Sequence, residues 1–256
     1  MKLKEIIGAI FMIVLTISGI ILSFGVAING VLSSDGILAS MIQTDYLDKS
    51  EQQAKTVLSH YMSQEKAKEI LENVSVKASV RQIADSFDNN TVEQVANNVK
   101  QEMKQAVLES LDENIASDTK EQFATVVSDA YIKSIFPVTE LSTLSGIYKT
   151  YSSKLVLALV IIAIVSIGIY IYLATGKKTY KWAIIALYNV IILNIILLVV
   201  LGVLNGIVIG NERTTAVIIS MLDKIKINVL IATLITFVIA VISNYIAYFR
   251  KKKHSK

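Results

Sequence analysis

The sequence predicts an all-α protein: a bundle of four transmembrane helices with a helical extracytoplasmic domain inserted between spans one and two. Three observations carry that prediction. Four nearly uncharged runs of about 20 or more residues are each long enough, at about 1.5 Å per residue, to cross about 30 Å of hydrocarbon. The one long polar stretch, 33–154, places its apolar residues at helical rather than alternating spacing. The basic residues flanking the runs gather on one predicted side of the membrane. The chain is 53% hydrophobic and holds a single Pro in 256 residues, which suits long uninterrupted helices.

Residues 1–32 are read as a cytoplasmic N-terminus and span one. Lys2 and Lys4 precede 6–32, a stretch of about 27 residues without a charge. That is about twice the length of a secretory signal's apolar core. Gly25-Val26-Ala27 is the nearest approach to a small-residue cleavage site, so an uncleaved anchor is expected. Gly19, Ser23, Ala27, Gly30 and Ser34 recur at three- and four-residue spacing, a ladder along which helix backbones can approach closely.

Residues 33–154 are read as the extracytoplasmic domain. They hold 18 acidic and 12 basic residues, about −6 in net charge. Four apolar stripes mark helices. The first is Ala54, Val57, Leu58, Tyr61 and Met62, and the second Val76, Val80, Ile83, Ala84 and Phe87. The third is Val92, Val95, Val99, Met103, Ala106, Val107 and Leu111, and the fourth Phe123, Val126, Val127, Ala130, Tyr131 and Ile135. Asp88-Asn89-Asn90 reads as a turn, and Thr91 with Gln94 and Asp118 with Glu121 have capping-box spacing. Residues 112–117 are then a connector, Pro137 ends the fourth helix, and Thr139 caps a short helix leading to span two. About 120 residues suffice for a modest core.

Residues 155–256 supply the remaining spans, at about 155–174, 182–204 and 227–249, and a basic cytoplasmic tail. Tyr148, Tyr151, Tyr170 and Tyr172 are placed as interfacial aromatics around span two, and Trp182 as the anchor of span three. The turn at 176–181 superficially matches a P-loop, yet Ile171 stands where Gly is needed and Lys178 replaces the Ser or Thr. Gly202, Gly206 and Gly210 form a second small-residue ladder, expected to pack on that of span one within a subunit or between two. Residues 211–226 read as a short outer loop, with 217–222 as an amphipathic piece at the interface.

Orientation follows from Lys2, Lys4, Lys177, Lys178, Lys181, Arg250, Lys251, Lys252, Lys253 and Lys256, accompanied on that side by one acid, Glu5. Both termini and the 176–181 turn are expected to be cytoplasmic, in a plasma membrane. The tail can also attract anionic lipid.

The chemistry legible here is sparse. With no Cys, thiolate sites and disulfides are excluded, and His60 and His254 fall on opposite predicted sides of the membrane. The turn at Asp88 fails as a calcium loop, because Val92 and Glu93 occupy positions that need an oxygen ligand and a Gly. Asp112 and Glu113 read as solvating charges rather than an acid–base pair. Asn73-Val74-Ser75 and Asn89-Asn90-Thr91 match the glycosylation acceptor pattern. No Asp, Glu, Lys, Arg or His lies within the four predicted spans, which argues against a stand-alone ion-coupled carrier and against intramembrane catalysis. The polar residues there include Asn29, Asn189, Asn194 and Asn244, for which interhelical hydrogen bonds are expected. The expectation is therefore a non-enzymatic protein with no catalytic, cofactor or metal site. Its partners would be the bilayer and either a second copy or another membrane or envelope protein, with no nucleic acid.

This layout, with an N-inside anchor, a helical outer segment containing Phe136-Pro137-Val138-Thr139-Glu140-Leu141, and three closing spans with a Lys-rich tail, resembles four-span proteins of low-GC Gram-positive bacteria. That resemblance covers the whole chain through layout and texture, and implies plasma-membrane residence. The span arrangement is also similar to permease subunits of the FtsX/MacB type, which work with a separate cytoplasmic ATPase. Those permeases place more residues ahead of span one than Met1 to Glu5 provide. The leading expectation is an outer domain that binds or senses an envelope component, and the alternative is such a permease subunit.

Overall fold

A computed structural model describes residues 3–150, 161, 179–204 and 212–253. Among the described residues there are ten numbered helices and no strand. In chain order they are α1 (Leu3–Asn29), α2 (Ser34–Gln43), α3 (Tyr46–Ser59), α4 (Gln64–Asn73), α5 (Val76–Asp85), α6 (Val92–Ser110), α7 (Ser117–Ile135), α8 (Val138–Thr150), α9 (Thr179–Leu204) and α10 (Glu212–Lys253). Among the described residues, three stretches are long and apolar enough to cross a membrane: Glu5–Asn29, Lys181–Leu204 and Glu212–Ile246. Predicted span two, Lys177, Lys178, Gly206, Gly210, Lys2 and Lys256 lie outside the described residues.

The chain divides into two compact units. The helical unit comprises Val31–Lys149 together with Val208–Met221. Its core is drawn from α3, α5, α6 and α7, where Leu58, Val80, Ile83, Val99, Met103, Val107, Val127, Tyr131 and Ile135 are completely buried. The i, i+3, i+4 recurrence of these residues puts them on one stripe of each helix. Lys100–Asp129 (2.5 Å) and Lys104–Glu121 (2.6 Å) flank the α6–α7 seam, and Lys77–Asp48 (2.5 Å) joins α5 to α3.

Several local expectations change in this unit. Helices α2 and α4 were hidden in sequence. Their N-caps are Ser33, which accepts from the Gly36 N–H, and Ser63, which accepts from that of Lys66. Thr91 does not close a capping box: its hydroxyl donates to the Ser86 carbonyl, satisfying the end of α5 instead. Helix α7 begins at Ser117, so Asp118 sits in its first turn rather than capping it. Helix α8 begins at Val138, which places Thr139 inside it. Tyr148 packs its ring on Phe87 (centroids 5.8 Å apart) instead of standing as a free interfacial aromatic.

The predicted outer loop at 211–226 is corrected over its described residues. From Glu212 onward it is the start of α10, a single helix of 42 residues. Thr214, Val217, Met221, Ile225 and Val229 are buried at three- and four-residue spacing, so one stripe runs through the supposed loop into predicted span four. Lys226 pairs with Asp223 one turn away, which lets charges sit on the helix surface without breaking it.

The apolar unit comprises Met1–Gly30, Thr150–Ile207 and Leu222–Lys256. Helices α1 and α9 pack on each other in parallel: a Cβ added at Gly8 would collide with the Trp182 indole, and one added at Gly19 would meet Val190 Cγ2 at 2.6 Å. Helix α10 runs the opposite way. Asn228 Nδ2 donates to the Ala27 carbonyl near the end of α1 (3.0 Å), and Asn244 Nδ2 to the Tyr188 hydroxyl near the start of α9 (2.7 Å).

Candidate functional surfaces of the helical unit

Of the described ladder glycines Gly19, Gly30 and Gly202, none has a rung of the other ladder nearest it. Gly19 meets α9, and Ser23 and Ala27 are buried. Gly30 and Gly202, however, have nothing within 4 Å of an added Cβ, so the expected contact between the outer halves of spans one and three does not include them. The close approach lies nearer the helix starts, where Gly8 makes room for Trp182. Among the topology residues, Lys181 lies over the Trp182 ring (5.9 Å), Lys4 falls in the first turn of α1, and Arg250 to Lys253 close α10.

Asn194 departs from the expected pattern. It is completely buried, and neither amide atom has a hydrogen-bond partner among the described residues. Asn244 does make the interhelical bond that was expected of such residues.

Within the helical unit, the first turn of α10 forms a clasp. Helix α7 stops at Ile135 ahead of Pro137 and leaves carbonyls of its last turn without intrahelical donors. Arg213 donates to the Ser134 carbonyl at 2.7 Å, and also to the Lys49 carbonyl and Ser50 Oγ, both at 3.3 Å. The Tyr46 hydroxyl and Ser50 Oγ donate to the Ile135 carbonyl at 3.0 and 3.3 Å. The guanidinium lies 5.7 Å from the Tyr46 ring centroid, a cation–π distance. Burial pushes the Tyr46 phenol up to about 12, against the opposing pull of Arg213. Burial likewise raises Tyr131, which donates to Ser79 Oγ, to about 12. The sequence reading missed this clasp because Arg213 stood in a presumed loop.

Among the described residues, two polar clefts open on the surface of the helical unit. One, of about 630 Å³, lies between α3 and α4 and includes His60, Lys55 and Lys68. His60 Nδ1 donates to the Thr56 carbonyl (2.6 Å), while Lys55 and Lys68 are each drawn to an acid on their own helix, Glu51 and Glu72. Among the described residues, no carboxylate is bonded to the imidazole to orient it as a base. Asp112 and Glu113 lie exposed in the turn after α6.

The second cleft, of about 560 Å³, is formed where α8 docks on the α5–α6 turn. Ser145 Oγ donates to the Phe87 carbonyl, and Ser142 Oγ donates to Glu93 Oε1 at 2.9 Å. Asn90 occupies the turn in the left-handed region (φ 56°), which Asn tolerates better than most residues. Its amide lines the cleft with those of Gln94, Asn97 and Asn98. No protein family, curated protein or solved structure matches the chain.

Proposed function

We propose that the chain is a non-enzymatic, multi-pass plasma-membrane protein whose helical unit stands outside the cytoplasm and binds or senses a component of the envelope. The observation that carries this reading is that the helical unit has its own closed hydrophobic core. A mere tether between spans needs no such core, whereas a contact surface needs a rigid scaffold to hold it.

The membrane part of the reading rests on outward-facing apolar side chains. Ile10, Ile13 and Ile17 on α1, Val199 and Val203 on α9, and Leu234, Ile235 and Val238 on α10 are all exposed. So much exposed aliphatic surface is costly in water and suited to lipid. The parallel packing of α1 and α9 supports a recrossing between them, the role assigned to 155–174. Helix direction also places the starts of α1 and α9 and the end of α10 at one end of the apolar unit, and these are the ends that carry Lys4, Lys181 and Arg250 to Lys253. That coincidence agrees with the positive-inside rule for a four-span chain with both termini cytoplasmic.

The test is in-cell photo-crosslinking from single exposed positions of the helical unit, such as Lys68 and Asn98, with identification of what is captured. An envelope component recovered from these positions, and not from position 178, is expected. Recovery of nothing above background from either position would overturn the binding role. A nucleotide-binding ATPase co-purifying with the crosslinked protein would favour the permease alternative instead.

A further inference from the structure

The cleft between α6 and α8 brings four side-chain amides together, those of Asn90, Gln94, Asn97 and Asn98. Gln94, Asn97 and Asn98 lie at i, i+3 and i+4 on α6, so their side chains leave the helix on one side, and Asn90 precedes them by about one turn. Elsewhere on the same helix Lys100 is engaged with Asp129, Lys104 with Glu121 and Gln105 with Glu109, while Gln101 and Glu102 are exposed like the cleft amides. The side chains of Gln94, Asn97 and Asn98 make no hydrogen bond to a described residue, and all three are exposed. Asn is also a poor choice for a helix interior, because it loses helix propensity relative to the Lys, Glu or Gln that would solvate the same face. Two adjacent Asn residues at such positions make sense if their amides are used.

The donor set narrows what could use them. Each amide presents two N–H donors and a carbonyl acceptor without charge. Among the described residues no Lys or Arg lines the cleft, and the one carboxylate there, Glu93, is held by Ser142, so a phosphate or other anion would find a weak and partly repulsive site. No aliphatic or aromatic side chain lines it among the described residues either, which leaves no pocket there for peptide side chains or an acyl chain. Hydroxyl and acetamido groups, which both donate and accept, match it. We propose that this cleft binds a neutral, hydroxyl- and acetamido-bearing glycan chain. The proposal rests on the envelope-binding reading and gives that contact a chemistry and a place.

The full-length protein in nanodiscs, with ¹⁵N-labelled Asn, is titrated with the β-1,4-linked trisaccharide of N-acetylglucosamine, while the side-chain NH₂ resonances are followed. Saturable shifts of the Asn97 and Asn98 signals are expected. In the double variant Asn97→Ala/Asn98→Ala, the titration followed at the remaining labelled cleft amide, Asn90, should show at least a tenfold loss in apparent affinity. Ala is the better helix former, so unchanged or higher thermal stability would separate lost binding from lost fold. Absence of saturable shifts overturns the glycan assignment, as does a response to inorganic phosphate or triglycine in place of the sugar. If the sugar fails while crosslinks from Lys68 still capture an envelope component, this inference falls and the binding reading stands. If both fail, both fall.

Discussion

At the scale of single residues, the clasp at the end of α7 is where one side chain does most. Arg213 supplies charged donors to the Ser134 and Lys49 carbonyls in a planar fork that Lys cannot copy. Arg213→Ala should destabilise the helical unit by about 2–3 kcal/mol, the range for lost hydrogen bonds to a charged group plus the backbone acceptors left behind. Arg213→Lys should recover less than half of that. Denaturant unfolding of the protein in nanodiscs, followed by far-ultraviolet circular dichroism, checks both; a loss below about 0.5 kcal/mol would show that water serves α7 equally well. The two buried tyrosines give a pH signature. Tyr46 and Tyr131 are each raised to about 12 in the folded state, against about 10 when unfolded. A folded pKa raised in this way leaves their contribution intact below pH 10 and removes it as pH climbs from 10 to 12. Each should contribute roughly 2–3 kcal/mol to that loss. Tyr131→Phe should flatten the alkaline fall in stability, read as a smaller drop in the denaturant midpoint between pH 10 and 12 than in the parent protein.

At the scale of elements, small residues matter where a neighbour presses on them. Gly19→Leu should cost about 1–3 kcal/mol of stability in detergent, because its side chain must displace Val190, while Gly202→Leu should be close to neutral. Equal thermal shifts for the two would mean that the α1–α9 seam lies elsewhere. Spacing alone could not make this distinction, because both glycines belong to ladders and only the partner helix shows which rung is occupied. The same limit applies to α7. Of the six-residue stripe expected there, Val127, Tyr131 and Ile135 are completely buried, yet Val126 is 53% exposed, while Ala124 and Ser128, which lay outside the stripe, are completely buried. Small side chains there let helices come close, and a reading weighted towards large apolar residues passes them over. What was legible is what hydropathy and turn chemistry dictate locally: the extents of α1 and α9, the turn before α6, the connector before α7 and the stop at Pro137. Helix α4 offered too little pattern, with only Ala67 and Ile70 buried along its ten residues. The start of α10 was obscured for the opposite reason, since Glu212, Arg213, Asp223 and Lys224 suggested a loop although the apolar stripe beneath them never broke. The amides of the cleft lie close together in sequence, from Asn90 to Asn98, and read only as polar helix surface; the α8 residue that closes the cleft against them, Ser142, is distant in sequence.

At the scale of the whole molecule, the open question is which parts of the chain face which side of the bilayer, and the absence of native Cys makes it directly measurable. In a four-span chain with its N-terminus inside, residues after span one are outside and those between spans two and three are inside. Lys68 is a good external reporter, because its side chain is 77% exposed, whereas Lys100 is held against Asp129. Lys68→Cys should react with a membrane-impermeant maleimide on intact cells, and Lys178→Cys only after permeabilisation. The reverse pattern would invert the orientation and return the helical unit, with its amide cleft, to the cytoplasm, where an envelope glycan could not reach it. Labelling of both positions from outside would remove the crossing assigned to 155–174. That second outcome would have to be squared with α1 and α9, whose parallel packing requires the chain to recross between them if both are spans. The label on position 178 therefore tests the number of crossings, and the label on position 68 tests whether the helical unit stands where an envelope component can meet it.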